Sequence, residues 1–150
     1  MITRGWARAI AVVGVVVALD QATKQAAASG IDRGESVNVF LGIDLTNTRN
    51  TGVAFGALEG GGFVIALLIG LALVLLVGYF ALNADRPWLW LPVGVLLGGA
   101  LGNLADRARI GAVIDFIDPV AWPAFNLADT AIVLGVLGLV YVIEGAPGGE

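Results

Sequence analysis

From Gly60 to Ala84 the chain runs for 25 residues without a charge, which exceeds the ~20 residues a helix needs to cross a ~30 Å hydrocarbon core. In that medium a backbone satisfies its N–H and C=O groups only as a helix or a closed barrel. The run therefore predicts a spanning helix at about 62–82. Three other stretches follow the same rule. Trp88 to Ala105 adds 18 uncharged residues, Ala9 to Leu19 reaches spanning length if its helix continues through Asp20 and Lys24 to Ala28, and Thr130 to Ile143 does so if 125–129 form its first turn. The expected fold class is a membrane all-α chain with small β. It has four transmembrane helices, at about 9–28, 62–82, 88–106 and 126–143, in a single integral membrane domain covering 1–150. Composition agrees: 58% of residues are hydrophobic and 13% charged, where soluble domains carry roughly 25% charged residues.

The residue types that are missing narrow the chemistry. There is no Cys and no His, which removes disulfides, thiol nucleophiles, Ser-His dyads, His-bearing metal sites and the HExxH signature. Acid–base work falls to carboxylates, Lys and Tyr, with no metal and no cofactor expected. A net charge of −4, without any basic, aromatic-interleaved stretch, gives no footprint for nucleic acid. Arg4, Arg8, the run Ala9–Leu19 and Ala26-Ala27-Ala28 imitate a cleavable signal peptide. Against that, Asp20, Gln21, Lys24 and Gln25 make a long polar stretch before the supposed cut. Asp20 and Lys24, at i and i+4, suit one face of a continuing helix.

Val37, Val39, Leu41, Ile43 and Leu45 alternate with Asn38, Phe40, Gly42, Asp44 and Thr46, a period of two that predicts strands with one apolar face. An open sheet edge is not tolerated in hydrocarbon. The β-rich segment, about 36–56, therefore belongs at the membrane surface or against the helices, with 47–56 as a loop returning to the bundle. Asn83 to Pro87 is a short link that makes the second and third helices antiparallel neighbours. Residues 108–124, with Gly111, Pro119 and Pro123, form a second excursion outside the membrane. Four spans put 29–59 and 108–124 on one side, and both termini with the 83–87 link on the other. Arg4, Arg8 and Arg86 favour an inside N-terminus. Lys24, Arg33, Arg49, Arg107 and Arg109 outnumber them on the opposite side, but Lys24 and Arg107, with Arg49 as a further candidate, have acidic or polar neighbours that suggest site roles rather than free loop charges. Trp88 and Trp90 then mark the inner interface and Trp122 the outer.

Asp115 and Asp129 fall at the membrane edge among apolar neighbours, Ile114 and Phe116 for one, Ala128 and Ala131 for the other. Two adjacent carboxylates cannot both ionise cheaply. One pKa rises, the pair holds a single proton, and such a pair can activate water while protonating a leaving amine. A blander reading stands beside this one: Asn126 as N-cap with Asp129 at N3 is a good helix start, and Asp115 is a solvated loop residue beside Asp118. Their 14-residue offset, with two prolines inside it, fixes no separation. Near the end of the third helix, Asn103 and Arg107 share a face at i and i+4, next to Asp106. Arg107 either forks onto a carboxylate or substrate carbonyl or snorkels outward. Gly98, Gly99 and Gly102 permit close helix contact. Asn50-Thr51-Gly52 offers amide and backbone donors to an extended peptide, or simply turns the chain.

Five motifs then line up in order: Asp20-Gln21-Ala22-Thr23-Lys24, Asn50-Thr51-Gly52-Val53-Ala54-Phe55-Gly56, Gly98 to Arg107, Val113-Ile114-Asp115-Phe116 and Phe125-Asn126-Leu127-Ala128-Asp129. Together, from about Ala9 to Ile143, they closely resemble the lipoprotein signal peptidase family, bacterial signal peptidase II. The resemblance implies a four-helix aspartyl peptidase of the bacterial inner membrane, with both termini cytoplasmic and an extracytoplasmic β-cradle. It implies Asp115 and Asp129 as the catalytic pair, with Asn50, Gly52, Asn103, Arg107 and Asn126 lining or shaping the site. Asp20, Lys24 and Asp106 take supporting roles. The implied partner is a prolipoprotein carrying diacylglycerol on a Cys and cut just before it, handled by a monomer in membrane lipid. A competing function is a proton- or cation-coupled transporter with Asp20, Asp115 and Asp129 as a relay, which requires carboxylates near mid-bilayer. A non-catalytic membrane scaffold is a second, and a Ser-Lys peptidase a third, but neither Ser29 nor Ser36 shares a helix face with Lys24.

Overall fold

The computed structural model describes residues 4–52 and 61–145. Helix α1 (Arg4–Gly30) continues unbroken through Asp20 and Lys24. Strands β1 (Ser36–Phe40) and β2 (Ile43–Asn50) form an antiparallel hairpin, which turns at Gly42 with φ 75°. Helices α2 (Gly61–Leu82) and α3 (Trp90–Ile110) follow, then strand β3 (Val113–Pro119) and helix α4 (Leu127–Gly145). The chain is thus mostly helical with one three-stranded antiparallel sheet in the order β1-β2-β3. Helices α1 and α4 combine the length and apolar character of a membrane span, and Leu67–Leu82 is a shorter apolar stretch within α2.

Residues 47–50, read as the start of a loop, instead extend strand β2, and within the 108–124 excursion, for which the sequence suggested no regular element, 113–119 is a strand. One cause serves both: β2 and β3 pair from Ile43↔Pro119 to Asn50↔Val113, so each supplies the other's backbone partners. From Val113 to Phe116 every residue of β3 is buried, so it lacks the polar alternation that marks a half-exposed strand. The 53–56 part of the β-rich segment, with Val53, Ala54, Phe55 and Gly56 of the second motif, lies outside the described residues. Helix α3 runs to Ile110 rather than 106 and stops at Gly111, whose φ of 71° and N–H bond to the Arg107 carbonyl form a left-handed C-cap. The cap turns the chain back into β3.

Helix α3 is the centre of the bundle, with α1 and α4 packed along it through a glycine seam. A Cβ at Gly98 would lie 2.7 Å from the Val16 Cβ, and one at Gly135 would lie 2.6 Å from the Leu96 Cβ, so glycine alone permits these approaches. At the end holding the 83–87 link, Phe80, Leu89, Val93 and Val142 make a buried cluster. The ring of Trp6 meets Phe80 edge-on at 4.8 Å. Leu67, Leu68, Ile69, Leu71, Val74 and Leu75 on α2 are 52–68% exposed, a contiguous apolar face of the kind that marks a membrane or partner contact.

Candidate active site

The site grows outward from a cation. Lys24 on α1 is fully buried, and its Nζ is 2.9 Å from Asp20 Oδ2, 2.8 Å from Asp106 Oδ2 and 2.9 Å from Asn103 Oδ1. An ammonium has three N–H donors and no acceptor, so all three are used. Each partner of Lys24 does a second job. Asp20 Oδ1 accepts the backbone N–H of Ala128 at 3.0 Å, which satisfies a donor at the start of α4. Asp106 Oδ2 accepts the N–H of Ile114 and so holds β3 one residue before Asp115. Gly102 makes room for this cluster, since a Cβ there would lie 2.5 Å from Asp20 Oδ2.

Asn103 carries the order outward. Because Lys24 can only donate, the Asn103 oxygen must face it, and the amide nitrogen is left to donate to Asp129 Oδ1 at 2.8 Å. Asn126 is fixed by the same logic. Its Oδ1 accepts the N–H of Asp129 at 2.9 Å, and its amide nitrogen donates to Asn103 Oδ1 at 3.2 Å and Asp115 Oδ1 at 2.7 Å. Asn50 donates to Asp115 Oδ2 at 3.0 Å, while its own oxygen accepts the N–H of Gly52, which has φ 75°. A continuous chain of contacts therefore joins Asp115, Asn126, Asn103 and Asp129.

The helix-start reading of Asp129 also holds at the level of geometry. The N–H of Asn126 donates to Asp129 Oδ2 at 3.2 Å, reciprocating the bond to Asn126 Oδ1, the two-way exchange of a capping box. Asp129 is therefore both the third residue of α4 and a member of the carboxylate cluster. Asp115 is not a solvated loop residue, being 3% exposed. Burial pushes its carboxyl up from the ordinary value, the amides of Asn50 and Asn126 pull it down, the charge of Asp129 pushes it up again and that of Lys24 pulls it down. Burial dominates. Asp115 thus favours the protonated form more than a free Asp does, in a cluster open enough to leave Asp129 half-buried.

A model for the family described as Signal peptidase (SPase) II matches residues 12–144. The chain belongs to the signal peptidase II family. Two relatives named lipoprotein signal peptidase are similar along most of their length. The one from Pelotomaculum thermopropionicum is 46% identical over 135 residues, covering 88% of each chain, and the one from Moorella thermoacetica is 42% identical over 138 residues, covering 91% of each. Two solved structures described as a bacterial membrane enzyme superpose with TM-scores of 0.80 and 0.78. Their identities are 31% and 30%, covering 93% and 95% of this chain and 94% and 93% of theirs. The chain is a peptidase of the aspartic type.

Of the residues that sequence singles out in this signal peptidase II chain, Asp20, Lys24, Asn50, Gly52, Asn103, Asp106, Asp115, Asn126 and Asp129 form one bonded cluster. Arg107 does not join it. It is exposed, and among the described residues its side chain makes no hydrogen bond or ion pair, while Asp106 turns inward instead. The cation that reaches Asp106 from this stretch is Arg109, at 3.1 Å. Sequence gave no role to Gln21, whose amide nitrogen lies 3.1 Å from Asp20 Oδ2, 3.0 Å from Asp106 Oδ1 and 3.3 Å from the Gly102 carbonyl. Its place beside Asp20 in the first motif was the available signal. Asn47 was missed too: buried at 4% exposure, it donates to the Ile31 carbonyl at 2.9 Å and ties β2 to the end of α1.

Proposed function

We propose that this chain is a lipoprotein signal peptidase that cuts diacylglyceryl-modified prolipoproteins just before the lipidated Cys, with Asp115 and Asp129 as its catalytic pair. The observation that carries the proposal is the bonded chain from Asp115 through Asn126 and Asn103 to Asp129, which holds two acids of different surroundings in one cluster. Asp115, whose carboxyl burial pushes up, starts protonated. Asp129 starts as the base. Asp129 takes a proton from water as its oxygen bonds to the scissile carbonyl carbon, and Asp115 gives its proton to the carbonyl oxygen. On collapse the C–N bond breaks, the amine leaves with the proton from Asp129, and the diol returns a proton to Asp115. Nothing in this cycle calls for a metal or a cofactor.

In this reading α1, α2, α3 and α4 all span the inner membrane and both termini are cytoplasmic. The sheet and the carboxylates face the extracytoplasmic side. The bare apolar surface of α2 and the exposed Val37, Val39, Phe40 and Leu41 of the hairpin suit a monomer surrounded by lipid. A substrate with acyl chains needs a peptide site where lipid meets water, and the sheet lies against the end of the bundle that carries the carboxylates. Asn50 and Gly52 line that site, and Arg107, free of other partners among the described residues, is the side chain available to a substrate carbonyl. The transporter reading has no observation in its favour, because Asp20 is held by Lys24, Gln21 and the Ala128 N–H. The test is incubation with a diacylglyceryl-modified precursor and with its unlipidated twin. Cleavage of the first alone, lost in Asp115→Asn and in Asp129→Asn while both proteins still insert and fold, is expected. Equal cleavage of both precursors, or full activity in either variant, refutes the reading.

A further inference from the structure

The start of α1, the α2–α3 link and the end of α4 meet about 24 Å along α1 from Lys24, taking 1.5 Å per residue from Arg8. A cavity of about 140 Å³ opens there, lined by Arg4, Arg8, Asp85, Arg86, Trp88 and Trp90. Three arginines and one aspartate are thus among its lining residues. Among the described residues, Arg4, Arg8 and Asp85 take part in no ion pair, since the pairs present are those of Lys24 and Arg109. Arg86 is fixed in place, with Nη2 donating to the carbonyls of Val142 at 2.9 Å and Ile143 at 3.0 Å and Nη1 to the Tyr79 hydroxyl at 3.3 Å. That leaves its Nε and one Nη1 hydrogen for a ligand. The Arg8 guanidinium lies 5.6 Å over the Trp90 ring, and Trp88 stacks on Trp90 at 6.1 Å.

Trp88 supplies a second observation. Its φ of 64° makes it the one non-glycine residue with positive φ among those described, a conformation that bulky L side chains rarely adopt. Such strain persists where the surroundings over-determine it, and ligand clamps are among those places. Here it holds a 66% exposed indole at the rim of the basic cavity.

We propose that this cavity binds the phosphate of an anionic phospholipid headgroup. A phosphodiester offers the oxygens that guanidinium forks match. Tryptophans sit at headgroup depth in membrane proteins, and basic pockets between spanning helices are suited to anionic headgroups. A lipid is favoured over free phosphate because the cavity opens beside the lipid-facing end of α2, where Leu82 is 88% exposed and acyl chains have a surface to follow. This inference rests on the membrane-spanning reading above but not on the catalytic roles.

The full-length protein, delipidated and returned to nanodiscs of phosphatidylcholine with or without phosphatidylglycerol, is the sample. Native mass spectrometry then counts the phosphatidylglycerol retained. One retained molecule per chain is expected. Its apparent affinity should fall about fivefold for Arg4→Gln and again for Arg8→Gln, as expected for basic residues worth ~1 kcal/mol each near an anionic surface. Arg33→Gln, which removes the same charge elsewhere, should retain lipid as the parent does, and cleavage of a lipidated precursor in detergent by the Arg4 and Arg8 variants certifies their folding. Equal loss in Arg33→Gln, or retention of phosphatidylglycerol unaffected by the double variant, overturns the site. Displacement of the lipid by inorganic phosphate at millimolar concentration overturns the choice of a lipid as its occupant.

Discussion

Lys24→Met removes the one cation that touches Asp20, Asp106 and Asn103 together while keeping an unbranched apolar stem of similar length. All four side chains are at or below 7% exposure, so solvent cannot take over. Two carboxylates lose their common partner. Asp106 keeps Arg109 at 3.1 Å, whereas Asp20 is left with the neutral Gln21 amide and the Ala128 N–H. Deleting one member of a buried ionic group costs about 3–5 kcal/mol, a large share of a total stability of order 10 kcal/mol. The second variant that decides the cause is Lys24→Met with Asp20→Asn, which removes the stranded carboxylate and should recover part of the lost stability. Activity should not recover with it, because nothing then forces the Asn103 oxygen inward and its amide nitrogen toward Asp129. Misplacement by about 1 Å can cost ~100-fold in rate. Equilibrium unfolding in mixed detergent and single-turnover cleavage of a lipidated precursor measure the two effects. A single variant within 1 kcal/mol of the parent, or a double variant that regains full cleavage, refutes the reasoning.

Three further outcomes follow from the geometry. Burial raises the Asp115 carboxyl, and the proposed cycle needs it protonated, so activity falls as pH rises through that raised value. The alkaline limb of kcat/KM should therefore lie above the ordinary Asp value of about 3.9, and a limb at or below it removes Asp115 from the acid role. Gly102→Ala puts a Cβ 2.5 Å from Asp20 Oδ2 and should lower stability by about 1–3 kcal/mol along with activity. Gly70→Ala, where a Cβ meets nothing within 4 Å, should leave both intact in the same assays. Arg107→Ala should change unfolding free energy by less than about 0.5 kcal/mol, because its side chain contacts no described partner, yet slow cleavage at least tenfold; unchanged cleavage removes Arg107 from the substrate.

The helices were legible because their apolar runs are long, and the uncharged 60–84 stretch could be little else. The β1–β2 hairpin was legible for a comparable reason, the alternation from Val37 to Thr46 around a glycine turn. Strand β3 was not. Its residues are buried on both faces from Val113 to Phe116, and Gly111 with Pro119 bracketed them as loop signals do. In the site, Asp20 and Lys24 declared themselves by their i,i+4 spacing, and they do pair at 2.9 Å. Arg107 is the converse case. Its i,i+4 spacing places it on the row of the buried Gly99 and Asn103, yet Arg107 itself is exposed. Spacing along one helix shows which side chains are neighbours, whereas what they face depends on elements 80 or more residues away, as between Gln21 and Asp106.

Asp129 has both carboxylate oxygens engaged at the start of α4. One takes the Asn103 amide and the other the Asn126 N–H. An inhibitor that grips this carboxylate head-on must strip those donors and loosen the helix beneath it. At the proposed catalytic pair, a molecule that places a single hydroxyl beside both acids can use the remaining lone pairs and leave the turn wound. Potency at such a centre should therefore track how little a compound disturbs the donors already present, more than how many bonds it adds.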